Sequence, residues 1–311
     1  MTKEPEKALE NPLKKRLKKF PIIRKLIKLL KSIPLGKGSF TLYDLLKKYT
    51  IGIIEGALTY RASAISYSFF VAIFPFLLVV LNLIPYIPIE NFQEDFWVFI
   101  DNLLPPGTHD FFKDIFFDIA GKKRAGLLSS VFVLSIFLTT NGINAIFGGF
   151  DTSYHITVTR GVIKQYFISM GVALLLIFLL LASVILWLAF EYIRSLGVFI
   201  ENSSVIGLIK QGYFGFVAFI SISILYYYGT PKRGVGFFSP GAFFTLLLFI
   251  LTTYGYGVYI EHFAQYNQLY GSIGALLIFL LYIWLNATIL LLGFELNASV
   301  LDLKTSNECT S

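Results

Sequence analysis

An all-α bundle crossing a lipid bilayer about six times, with both termini in the cytoplasm, is the fold this sequence predicts, on three observations. The first is composition: of 311 residues, 56% are hydrophobic and 14% charged, with a mean hydropathy of +0.70, whereas an average soluble domain is roughly one-quarter charged. The second is run length. Six nearly uncharged runs, Ala62–Ile84, Leu127–Phe147, Tyr166–Phe190, Ile209–Tyr228, Phe237–Ile260 and Ile273–Leu296, can each span roughly 30 Å of hydrocarbon at about 1.5 Å per helical residue. The third is charge placement. With the N-terminus inside, 20 of the 26 Lys and Arg residues fall on the cytoplasmic side and six on the other, as the positive-inside rule requires. A transmembrane barrel is excluded by segments such as LLLIFLLLASVILWLAF (Leu174–Phe190), which lack the period-two alternation of a lipid-facing strand.

Residues 1–48 form a basic segment with 14 of the cationic residues. It has no apolar core followed by a small-residue cleavage site, so the first span acts as the insertion signal. Leucines and isoleucines mingle with lysines over Leu13–Lys31, a pattern suited either to lying on the inner leaflet, with Pro21 interrupting the helix, or to a solvated tail. The charge of +7 is explained by topology and anionic membrane lipid, and no nucleic-acid partner is expected. Residues 49–303 form the membrane domain and 304–311 a short polar tail.

The first span, from TYRASAISYSFFVAIFPFLL (Thr59–Leu78), threads small and polar residues through apolar sequence. Ala64, Ser68 and Ala72 share a face at four-residue spacing, a ridge that admits a neighbouring helix closely. Pro75 removes one backbone hydrogen bond and predicts a kink. The connection Pro85–Gly126 carries apolar residues at helical spacing on either side of a Pro-Pro-Gly break, predicting two short amphipathic helices that cap the bundle or lie at the outer interface. KKR at Lys122–Arg124 is a local exception to the charge rule.

In the second span, Asn141 and Asn144 stand beside Thr139 and Thr140, and Asn286 adds an amide in the sixth. Such groups either join helices or line a polar path. Tyr226, Tyr227 and Tyr228, followed by Lys232 and Arg233, read as an interface anchor. The first span enters from the same side on which the sixth exits, so Arg61 and Glu295 lie at one depth and can pair, with Glu55 as a rival partner. Arg61, Pro75, Asn141, Asn144, Asn286 and Glu295 are therefore the candidate functional positions.

Chemistry is not written into the motifs. His109, His155 and His262 are far apart, and no HExxH, GxSxG or Walker-type loop occurs; one cysteine, Cys309, excludes an intrachain disulfide and a multi-cysteine metal cluster. No catalytic residue, metal or cofactor is expected. The functional readings are translocation of a lipid or small solute, or a non-transporting membrane scaffold.

Three segments resemble the YihY/BrkB family of bacterial inner-membrane proteins: ALTYRASAISYSFFVAIFPFLLVV; YYYGTPKRGVGFFSPGAFF (Tyr226–Phe244); and YNQLYGSIGALLIFLLYIWLNATILLLGFELNA (Tyr266–Ala298). The similarity runs from about Leu42 to Leu303. It implies a six-helix integral membrane protein linked to envelope integrity, from a family that also carried a ribonuclease BN label regarded as a misassignment; a nuclease is the third reading. Arg61 stands where the family is expected to favour an uncharged residue, so its role is read from this sequence alone.

Overall fold

The computed structural model describes residues 21–35, 40–83, 92–101, 113–114, 116–117, 125–156, 159–195, 203–231, 236–263 and 272–308. Helix α1 (Pro21–Ser32) opens on Pro21. The proline occupies the first described helical position, where its missing N–H is no loss; residues 13–20, on the other side of the expected interruption, lie outside the described residues. A two-residue pair, β1 (Pro34–Leu35) with β2 (Phe40–Thr41), turns the chain into α2 (Leu42–Glu55).

Thr41 starts α2 with a capping box: its hydroxyl accepts from the Asp44 N–H at 3.3 Å, while the Asp44 carboxylate accepts from the Thr41 N–H at 3.0 Å. Thr41→Ala removes one half of this reciprocal cap. It is expected to destabilise the first turn of α2 by about 1 kcal/mol, seen as faster amide exchange there with the bundle interior unchanged.

α2 meets α3 (Leu58–Leu83) at a 63° bend. The bend is made by Gly56, which caps α2, and by Ala57, whose φ of 46° lies in the left-handed region. α3 is continuous through Pro75, which is buried. A short helix, α4 (Phe92–Asp101), follows as expected. Its Trp97 lies 5.2 Å from the ring of Phe116, a buried side chain of the next segment. Most of the second expected amphipathic helix and Lys122–Arg124 lie outside the described residues.

The remaining helices are α5 (Ala125–Asp151), α6 (Val162–Ser195), α7 (Ser203–Gly229), α8 (Pro240–Phe263) and α9 (Ser272–Glu308). Among the described residues, these five are long and apolar enough to cross a membrane, and the bent pair α2–α3 brings the number to six where it is counted as one span. α3 packs on α5, α5 on α6, α6 on α7, α7 on α8, α8 on α9, and α9 back on α3. The six thus close a ring in chain order. Outward-facing Phe178, Ile185, Leu208, Leu247 and Leu251 are exposed, the surface a hydrocarbon solvent requires.

Inside the ring, Phe150 of α5 stacks on Phe294 of α9 with centroids 3.9 Å apart, and Tyr226 of α7 lies 5.7 Å from Phe150. Tyr226 is fully buried and is not part of an interface anchor; Tyr227 and Tyr228 are exposed. Burial follows because its hydroxyl finds partners in the Leu290 carbonyl, 2.7 Å away, and Thr245 Oγ1. The buried stripe of α3 is Arg61, Ala62, Ile65, Ser66 and Ala72, whereas Ala64 is exposed. The expected ridge is displaced because Ala62–Ser66 offers the same small-residue spacing and is the one facing α5 and α9. Several serines and threonines on these helices bond back one turn, as Ser66 Oγ does to the Ala62 carbonyl at 2.7 Å, which satisfies those hydroxyls within their own helix.

Candidate functional site

The start of α3, the end of α5 and the C-terminal half of α9 converge at one end of the ring. Arg61, one turn after the α2–α3 bend, is 4% exposed and Glu295 is 0% exposed. Arg61 Nη2 donates to Glu295 Oε1 at 2.6 Å, and Nη1 donates to the Gly149 carbonyl at 2.8 Å. Arg61 Nε is buried without a hydrogen-bond partner. Glu295 Oε2 accepts from Ser153 Oγ at 2.9 Å. Arg61 therefore meets Glu295; Glu55 is on the exposed side of α2.

Glycines make room for these groups. A Cβ on Gly52 would stand 2.8 Å from Glu295 Oε2 and 2.9 Å from His155 Nε2, and one on Gly56 would stand 2.7 Å from Arg61 Nη2. The G-x-x-x-G spacing of IGIIEG lets α2 lie against the ionic centre without a side chain between them.

From Glu295 the polar groups continue outward. His155 packs beside Ser153; its Nε2 lies 3.1 Å from the Lys48 carbonyl and its Nδ1 3.4 Å from Asp302 Oδ2. Lys48 Nζ pairs with the same Asp302 oxygen, and both of these side chains reach solvent. Glu295, Ser299 and Asp302 recur every three or four residues on α9, a polar stripe along one face of an apolar helix. The sequence carried this signal, together with His155 directly after the second span.

Two of the amides singled out from the sequence are hydrogen-bonded within the bundle. Asn144 is half-buried, and its Oδ1 accepts from Ser169 Oγ on α6 at 3.4 Å. Asn286 donates to the Tyr282 carbonyl of its own helix at 2.7 Å, and Asn141 is half-buried on α5. Pro75 is on the inner face of α3, away from this end.

Two grooves adjoin at Phe238. One, of about 210 Å3, is lined by Ser239, Asn297 and Lys304; the other, of about 520 Å3 between α7 and α8, is lined by Phe216, Phe219, Phe243 and Leu246. Buried Asn297, which the sequence reading missed, braces the polar groove: it accepts from the Gly241 N–H and donates to Ser239 Oγ, each at 2.8 Å. Among the described residues, no group of three or more His, Cys, Asp or Glu side chains is placed to hold a metal ion.

The chain is similar to proteins of several bacteria. It is 26% identical over 266 residues to the putative ribonuclease-like protein YfkH of Bacillus subtilis (strain 168), covering 83% of this chain and 94% of that protein. It is 26% identical over 259 residues to a UPF0761 membrane protein of Aggregatibacter aphrophilus (strain NJ8700), covering 81% and 90%. A UPF0761 membrane protein of Psychrobacter sp. (strain PRwf-1) is 25% identical over 292 residues, which is 90% of this chain and 52% of that protein. No solved structure matches. The family model described as Virulence factor BrkB matches residues 53–308, the interval that contains the helix ring and the buried Arg61–Glu295 pair. The chain belongs to that family, and with its relatives it is a multi-pass protein of the bacterial inner membrane.

Proposed function

We propose that this protein translocates a lipid or small solute across the inner membrane, in support of envelope integrity, and that the Arg61–Glu295 centre is its closed gate. The observation that carries this reading is the buried charge itself. Ionisable groups in a membrane bundle are expensive, and an apolar pair of similar volume fills such a site without loss of stability. A charged pair linking three elements, with a polar chain leading from it to solvent, is the kind of contact that can break and re-form. The adjoining polar and apolar grooves at Phe238 suit an amphiphile. Lys304 gives the polar end a cation for an anionic headgroup, with the basic N-terminal segment and both termini on the cytoplasmic side.

Purified protein in phosphatidylethanolamine–phosphatidylglycerol liposomes is expected to exchange a fluorescent phospholipid between leaflets, or to pass small solute, faster than protein-free liposomes. Glu295→Gln, which keeps the shape and removes the charge, changes that rate. Folded protein that supports neither process identifies the chain as a scaffold, with the ion pair and Asn144 joining helices only.

A further inference from the structure

The two grooves that meet at Phe238 differ in chemistry, and in the polar one the side chains have donors left without acceptors. Ser239, 3% exposed, accepts from the Ala242 N–H at 3.3 Å and from Asn297 Nδ2 at 2.8 Å, which leaves its own O–H. Asn297, 4% exposed, turns its Oδ1 to the Gly241 N–H and one N–H to Ser239, which leaves its second N–H. Lys304 is exposed and forms no ion pair among the described residues. No carboxylate lines this groove; Asp302, two residues away on α9, pairs with Lys48 instead. Such a lining favours an anion whose oxygens accept hydrogen bonds.

The apolar groove is open because α7 carries glycines on that face. Gly212 and Gly215 line it at helical spacing with Phe216 and Phe219, and nothing stands within 4 Å of the position a Cβ would take on either glycine. Small residues in a membrane helix ordinarily let a neighbouring helix approach. Among the described residues no helix does so here, although each glycine costs a helix about 1 kcal/mol against alanine. A run of rings joins the two grooves: Phe238 stacks on Phe219 at 5.8 Å, and Phe219 lies 4.5 Å from Phe243. From Phe219 to Gln211, α7 covers about 12 Å at about 1.5 Å per residue, most of the depth of one leaflet of a hydrocarbon layer roughly 30 Å thick. A groove of that length and about 520 Å3 accommodates an acyl chain.

We propose that the two grooves form one binding site for an anionic phospholipid, its phosphate against Ser239, Asn297 and Lys304 and an acyl chain over Gly212 and Gly215. The site stands on the grooves; passage of the bound lipid across the membrane rests on the translocation reading above. A cation beside unmatched donors suits a phosphodiester of single negative charge, such as that of phosphatidylglycerol. The ammonium of phosphatidylethanolamine meets Lys304 and no side-chain carboxylate, so the site selects between these headgroups.

Native mass spectrometry of the full chain, released from micelles supplied with equal amounts of phosphatidylglycerol and phosphatidylethanolamine, tests the site. The expected result is one phosphatidylglycerol held per chain with about tenfold preference, the effect of roughly one charge-assisted hydrogen bond. Lys304→Gln should level the two lipids, and Lys304→Arg should keep the preference. Gly215→Leu fills the apolar groove with a better helix former and should lose the bound lipid while thermal unfolding stays unchanged. Gly171→Leu, on an exposed position of α6 with nothing within 4 Å of its Cβ position, should keep it. Equal retention of the two lipids by the native protein, a preference unmoved by Lys304→Gln, or lipid retained by Gly215→Leu overturns the site and leaves ordinary surrounding lipid. A native dimer that Gly215→Leu dissociates and Gly171→Leu does not assigns the groove to a second copy of the chain, and overturns the site equally. The Lys304 comparison holds whether or not Gly215→Leu folds. In the liposome experiment, preferential binding without flux removes translocation and leaves the site; flux undiminished in a Gly215→Leu protein that has lost its lipid removes the site from the pathway.

Discussion

Glu295→Ala is expected to destabilise the folded bundle by about 3–5 kcal/mol, because it leaves the Arg61 guanidinium buried without its counter-charge. Arg61 cannot turn to water: it is 4% exposed and enclosed by Gly149, the α2–α3 bend and α9. The cationic form would be held by the Gly149 carbonyl alone. The double substitution Arg61→Met with Glu295→Leu removes both charges and fills their volume with apolar atoms, so it should recover most of the stability lost in the single variant. Unfolding of each variant in detergent as a function of denaturant measures both effects. A single variant as stable as the native protein would show that the pair is not buried as described.

Substitution of Gly293 is the second large effect. A Cβ there would stand 1.8 Å from Thr245 Oγ1, 2.5 Å from Tyr226 Oη and 2.7 Å from the Gly241 carbonyl oxygen. Thr245 is held by Tyr226, Tyr226 by the Leu290 carbonyl, and Gly241 is backbone, so none of the three can yield separately. Gly293→Ala should therefore drive α9 away from α8 and break the Asn297 bridge to Gly241 and Ser239. Overpacking of this kind costs about 1–3 kcal/mol or more. Gly148→Ala is the matched control: nothing stands within 4 Å of its Cβ position, and the better helix former should leave folding unchanged or slightly improved. Equal yields of folded protein from the two variants would refute the close α8–α9 approach.

The helices were legible because lipid imposes a length and an apolarity that hydropathy reads directly. Residue pairing was legible where topology fixes depth: a chain that enters at Arg61 and leaves near Glu295 puts both at one level, and they lie 2.6 Å apart. Rotation about a helix axis was not legible. Ala64–Ser68–Ala72 and Ala62–Ser66 have the same spacing, and only the positions of α5 and α9 decide which stripe is covered. The same ambiguity made Tyr226 look like its exposed neighbours, although Thr245 and Leu290 draw its hydroxyl inward. His155, Lys48 and Asp302 come from three different elements, so no local motif could announce them. The Glu295–Ser299–Asp302 stripe on α9 was the available signal, and it points at this end of the bundle.

Phospholipid exchange and solute flux in liposomes carrying Arg61→Met/Glu295→Leu, beside the native protein and with folding verified for both, test most directly whether the ion pair is a gate. A dry apolar contact has no charge for water or a proton to exchange. The account therefore predicts that this variant folds with near-native stability while flux falls to the protein-free level. Native-like flux from the folded double variant would contradict it.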